Sequence, residues 1–190
     1  MEDIMPKITE AKILILATNG FEQAELEVPR DKLREAGATV DVASLDGQKI
    51  KGWDKTDWGQ EVDVDKALDD VRVTDYDALV LPGGQINPDL LRVEPEAIAL
   101  IKEFNNAGKV IAAICHAPWL LIEAGLVSGR EVTSYKSIST DVQNAGGNWK
   151  DVEVVSDNGI VTSRNPGDLE AFCKKIVEEV QEGRHDRKAA

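Results

Sequence analysis

At 190 residues, with 42% hydrophobic and 30% charged side chains, the chain has the make-up of a soluble globular protein long enough to bury a full core. Its net charge of −13, from 22 Lys and Arg against 35 Asp and Glu, argues against nucleic acid or an anionic membrane as partner, since both need basic patches. The opening MEDIMPKITEAKILILATNG has an apolar run too short for a signal segment or a span, and two distant cysteines imply neither a disulfide framework nor a C-x-x-C site, so a reducing cytoplasm is expected.

Residues 12–18 (KILILAT) read as the first strand, which Asn19-Gly20-Phe21 turns into a helical stretch over 22–36 that Pro29 kinks or divides. Gly37 closes it, and 39–43 (TVDVA) form a second, parallel strand. Residues 46–70 differ in composition and predict a ribbon-and-loop excursion followed by a short helix near 65–70. Trp53 and Trp58 inside it read first as a cover over an edge of the core, with an interface or substrate lip as the other reading. Residues 77–81 lead into LPGG, a buried strand with a tight turn at Gly83-Gly84. Asn87-Pro88-Asp89 marks a helix start, and 95–107 is an amphipathic helix closed by Gly108.

The run 110–114 (VIAAI) is a fully buried strand, with a helix from Pro118 directly behind it. A strand at 131–134, a helix at 138–145 and strands at 151–156 and 160–163 around Asp157-Asn158-Gly159 follow. The last helix, 166–181, puts Leu169, Phe172, Cys173, Ile176, Val177 and Val180 on one face, and 183–190 is a polar tail. No linker or repeat interrupts the chain. One domain over 1–190 is expected, with 1–11 as an N-terminal extension, built as a three-layer α/β/α sandwich on a mostly parallel sheet.

A strand that becomes a helix without a loop strains the residue at the turn and needs small neighbours two positions away. Ala113-Ile114-Cys115-His116-Ala117 has that form: a nucleophile elbow with Cys as nucleophile and Ala for Gly. The competing reading is a small apolar residue filling a strand end. The helix N-terminus favours a reactive thiolate at Cys115, whereas Cys173 lies on a packed helix face and is inert. Since His185 sits in the tail, any Cys–His pair must use His116, and two lone histidines offer no zinc site. Ligands of an open parallel sheet bind beyond the strand carboxyl ends. Glu22 there is either an acid favoured by a helix dipole or a carboxyl that contacts Cys115. Gly83-Gly84 is either a plain turn or, with the His116 N–H, an oxyanion hole.

The strings TNGFEQAELEVPRDKLREAG, YDALVLPGG, NPDLLR, AAICHAPWLLIEAGLVSGR, TSY, NAGGNW and VTSRNPGDL together resemble the ThiJ/PfpI superfamily, in its branch of intracellular protease I-like general stress proteins. The resemblance runs from about residue 12 to 180 and implies a flavodoxin-like sandwich, of the class I glutamine amidotransferase-like kind, assembled as dimers or rings of dimers. It puts the nucleophilic and oxidisable cysteine on Cys115, its histidine on His116, a protonated glutamate on Glu22, and the oxyanion-hole backbone on Gly84 and His116. Asp89 lies in the neighbourhood of a triad acid given by an adjoining subunit. Alanine at 117 departs from the family's frequent C-H-G. The implied activity is a cytoplasmic, cofactor-free cysteine hydrolase or lyase of the stress response, acting on reactive carbonyls, glycated adducts or small peptides. The alternative is a redox sensor or protective chaperone-like protein that works by oxidation of Cys115.

Overall fold

The structure, a computed structural model, describes residues 6–187; the expectations for 1–5 and 188–190 lie outside the described residues. In chain order it contains β1 (Lys12–Leu16), β2 (Phe21–Glu22), α1 (Gln23–Glu35), β3 (Thr39–Ser44), β4 (Ile50–Asp54), β5 (Asp57–Val62), β6 (Lys66–Ala67) and β7 (Ala78–Leu81). Then come α2 (Ile86–Leu91), α3 (Pro95–Asn106), β8 (Val110–Ile114) and α4 (Pro118–Glu123). The last third supplies β9 (Glu131–Val132), α5 (Ser139–Asn144), β10 (Asn148–Trp149), β11 (Val154–Asp157), β12 (Ile160–Ser163) and α6 (Leu169–Glu182).

Seven strands form the central sheet in the order β11-β12-β8-β7-β1-β3-β6, all parallel except β11. Each strand feeds apolar residues alternately to the two faces. Ile13 and Ile15 of β1 join Val110, Ala112 and Ile114 of β8 against Leu26 and Leu33 of α1 and Phe172 and Ile176 of α6. Leu14 and Leu16, with Ile111 and Ala113, pack on the opposite face against Ile101 and Phe104 of α3 and Leu120 and Leu121 of α4. Burying each large aliphatic contributes about 1.5–3 kcal/mol, so the residues with no polar alternation are the ones that must lie between two layers of helix. The result is a three-layer α/β/α sandwich of flavodoxin-like order. Its chain order reverses between β1 and β7, which opens a crevice beyond their carboxyl ends.

The structure differs from the sequence expectations at three places. Pro29 does not divide α1, which runs unbroken; the only ladder bond it cannot give is to the Glu25 carbonyl. The expected helix near 65–70 is instead the edge strand β6, pairing with Ala43 and Ser44, plus a single 3-10 turn. Trp53 and Trp58 do not cover the core: Ile50 and Val62 of their hairpin do that, leaving Trp58 47% exposed. The polar tail, as far as 187, is fastened to the sheet. His185 N–H bonds the Gly108 carbonyl, the Asn158 amide bonds the Asp186 carbonyl and Arg187 bonds the Lys109 carbonyl. Among the described residues no helix is long and apolar enough to cross a membrane.

Candidate active site

β1, β7 and β8 are neighbours, so Gly20, Gly84 and Cys115, which follow them, converge on one cavity of about 620 Å³. Its remaining wall includes Glu22, Glu25, Trp53, His116 and Tyr135. Cys115 holds φ +65°, a left-handed backbone that costs a non-glycine residue about 1–2 kcal/mol. Two bonds hold the turn in place: Cys115 N–H donates to the Ser163 carbonyl of β12 at 3.0 Å, and Tyr135 N–H donates to the Cys115 carbonyl at 2.8 Å. The strain is thus fixed by the sheet on one side and a loop on the other, and it aims the sulfur into the crevice.

Sγ lies 3.1 Å from Nδ1 of His116. Successive side chains on a helix or strand diverge, but the left-handed turn at Cys115 brings this pair together. The imidazole is stacked on Tyr135 (ring centroids 4.7 Å apart), meets the Trp119 edge, and places Nε2 3.3 Å from the Ser137 hydroxyl. Burial pushes its pKa down to about 4, against an opposing pull from Asp141, so the ring is neutral at pH 7. In the tautomer with Nε2–H donating to Ser137, Nδ1 is free to accept the thiol proton.

Glu25, one turn into α1, is fully enclosed and faces the sulfur. Its Oε2 accepts the Gly83 N–H at 2.9 Å, while Oε1 is buried with no hydrogen-bond partner among the described residues. Burial pushes this carboxyl up to about 8, with the Gly83 N–H opposing and the Glu22 charge adding. Burial and the Glu25 carboxylate likewise push the Cys115 thiol up, whereas the N–H groups of Gly84 and His116 favour its thiolate. Sulfur and carboxyl cannot both be charged in so enclosed a space. With the proton on Oε1 of Glu25, the repulsion on sulfur vanishes and an O–H donor replaces it.

The glycine pair is required by this contact. A Cβ at Gly83 would sit 2.5 Å from Glu25 Oε2 and 2.7 Å from Cys115 Cβ. One at Gly84, where φ is +79°, would sit 2.5 Å from the Gly20 carbonyl oxygen.

The sequence pattern of the DJ-1/PfpI family matches residues 11–179. The chain belongs to the DJ-1/PfpI family. It is 45% identical over 166 residues to the deglycase TK1284 of Thermococcus kodakarensis, spanning 87% of this chain and 97% of that protein. It is 44% identical over 167 residues to the putative cysteine protease YraA of Bacillus subtilis, spanning 87% and 96%. The crystal structure of Drosophila melanogaster DJ-1beta superposes with a TM-score of 0.82 at 33% identity, covering 90% of this chain and 91% of that one.

Within this DJ-1/PfpI fold, Cys115, His116 and Gly84 line one cavity, and the pairing of Cys115 with His116 that the sequence left open is made. Glu22 does not contact the sulfur: it lines the same cavity, but the carboxyl against Cys115 is that of Glu25. Helical side chains lean back toward the helix N-terminus, so a residue one turn in, and not the first, reaches over the strand end. Asp89 is exposed on α2 and does not line the cavity of its own chain. Two positioning residues escaped the sequence reading. Ser137 steadies His116, and Asn87 is buried, accepting the Thr18 N–H and donating to the Pro82 and Gly83 carbonyls, which ties the ends of β1 and β7 together. A motif read only as a helix start gives no signal of that second duty.

Proposed function

We propose that this protein is a cysteine-dependent hydrolase or lyase that acts on reactive carbonyls and their adducts, in the manner of a deglycase. The observation that carries the reading is the strained Cys115, whose sulfur touches the His116 imidazole and the proton-bearing Glu25 carboxyl in one cavity. In the first step a bond forms between Sγ and the carbonyl carbon while the C=O electron pair moves to oxygen. The Gly84 and His116 N–H groups, which address the sulfur at rest, are the nearest donors to that oxygen. His116 takes the thiol proton and Glu25 gives one to the oxygen, leaving a hemithioacetal. With a 2-oxoaldehyde the C1 proton then passes to C2 to give a 2-hydroxyacyl thioester. Water breaks its C–S bond, releasing the 2-hydroxy acid and restoring the thiol while the His116 proton returns to Glu25. TK1284 is named a deglycase, and the extent of identity to it supports the same chemistry here.

Purified protein is expected to consume methylglyoxal, and Cys115→Ala to abolish this with the fold intact. Unchanged turnover in that variant would overturn the reading. Glycated amines and small peptides assayed side by side with it rank the substrates, peptides testing the protease activity that YraA is named for. The expectation of a stress-response role in the cytoplasm belongs to this reading, as does a single domain over 1–190 working without cofactor. So does assembly into dimers or larger sets of dimers: α2 exposes Ile86 and Leu90 beside Asp89, which does not line the cavity of its own chain. Light scattering on the purified chain tests it, and a monomer at all concentrations removes the role for Asp89.

A second reading has its own support in the Glu25 proton. A sulfinate at Cys115 would accept a hydrogen bond from Oε1, favouring oxidation that stops there, as a redox sensor requires. Peroxide titration with mass spectrometry checks it; oxygen addition confined to other residues sinks it.

A further inference from the structure

We propose that Glu22 and the Trp53 indole form a recognition wall for a positively charged group, a guanidinium above all, carried by the substrate beside the carbon that Cys115 attacks. The proposal rests on reading the Cys115 cavity as the substrate site, and it makes Glu22 a specificity residue and not the acid that serves the sulfur.

The placement follows from strand register. β2 and β4 set Glu22 opposite Trp53, and β4 and β5 set Trp53 opposite Trp58. Partners in register project to the same side of a sheet, so one carboxylate and two indoles stand in a row. Glu22 and Trp53 both line the cavity that holds Cys115, and Tyr135 stands on the same cavity wall. A carboxylate flanked by π faces suits a planar guanidinium, which can bond the oxygens while lying against a ring.

Glu22 has no structural duty that explains its position. It stands at the N-cap of α1 yet makes no capping bond. Its one hydrogen-bond donor is the Lys55 backbone N–H at the tip of the β4–β5 hairpin, and among the described residues it forms no ion pair. Burial raises its pKa, with Asp54 adding and Lys55 opposing, so its negative charge is poorly compensated until a cation arrives. The same row of rings already draws one cation, as Lys51 Nζ stands 6.0 Å from the Trp58 centroid. At longer range, the net charge of −13 pulls positively charged ligands toward the protein.

The exposed Lys55 ammonium at the rim makes the opposite preference, for a carboxylate, the competing outcome. The test reads binding and needs no turnover: Nα-acetyl-arginine amide and the isosteric, uncharged Nα-acetyl-citrulline amide are titrated calorimetrically into the full chain. The arginine probe is expected to bind about tenfold more tightly, the scale of one charge contact with a ring beside it. Glu22→Gln brings the ratio near one, Glu22→Asp keeps most of it, and Lys55→Ala widens it. Equal binding of the two probes, a preference that survives Glu22→Gln, or tighter binding of Nα-acetyl-glutamate amide than of either would overturn the proposal. Failure of the methylglyoxal assay leaves these titrations readable, and loss of the arginine preference leaves the chemistry of Cys115 standing.

Discussion

The cavity has a floor and a rim, and they are built in opposite ways. The floor is Cys115, Glu25 and the Gly83-Gly84 turn: buried groups fixed by the ends of three adjacent strands and one helix, with no room for an added methyl at either glycine. The rim is the β4–β5 hairpin, an excursion outside the central sheet, joined to β2 by two paired positions and latched where Gln23 accepts the Gln60 N–H. Two carboxylates divide along the same line. Glu25 belongs to the floor and has lost its contact with water; Glu22 belongs to the rim and keeps part of it. The floor fixes which bond can be made, and the rim can be rebuilt to change what is brought to it.

The contrast is broken most severely at Glu25. Glu25→Leu removes the proton donor, and carbonyl turnover should fall about 100- to 1,000-fold, the range for loss of a positioned acid. Glu25→Gln can still accept the Gly83 N–H, so it should lose activity similarly while retaining more stability; full activity in Glu25→Gln would end the proton-donor assignment. Next comes Gly83→Ala, whose Cβ meets the Glu25 carboxyl, the Cys115 side chain and the Ile114 carbonyl at 2.5–2.7 Å. Denaturant titration should show a loss of about 2–4 kcal/mol. A change under 1 kcal/mol would mean that the floor yields.

Titration of stability with pH sharpens the comparison further. Glu25 rises from 4.5 to about 8 on folding, so its contribution is complete below pH 4.5 and is lost as pH climbs through 8. His116 drops from 6.5 to about 4, so its contribution is complete above pH 6.5 and is lost as pH falls through 4. Urea midpoints of Glu25→Gln against the parent should lose the alkaline slope and keep the acid one. The smallest effect belongs to the rim: Trp58→Ser, at a half-exposed ring, should cost less than about 1 kcal/mol. A larger loss would show that the hairpin is part of the floor's support.

Sequence reading reached the floor's backbone and missed one of its side chains, for a definable reason. The elbow is legible because strain demands small residues at fixed spacing, and Ala113 and Ala117 supply them. The buried runs mark the strands, but the order that sets β7 beside β8 and brings Gly84 to Cys115 is written in no one of them. Glu25 was legible too, by a different test: with Leu26, Pro29 and Leu33 it completes the buried stripe of α1, where an acid is out of place. Position at a strand end points to Glu22 instead. Asn87 and Ser137 act through contacts 69 and 21 positions away, which no local pattern encodes.

The fastening of residues 183–187 has a consequence for how the protein folds. His185, Asp186 and Arg187 grip the residues just before β8 and β12, and α6 roofs one face of the same strands. Both come later in the chain than every strand of the central sheet. Until both are in place the strand that ends in Cys115 has one face open and its starting end loose, so the nucleophile is set in its strained turn only once α6 and the segment behind it have docked on the sheet.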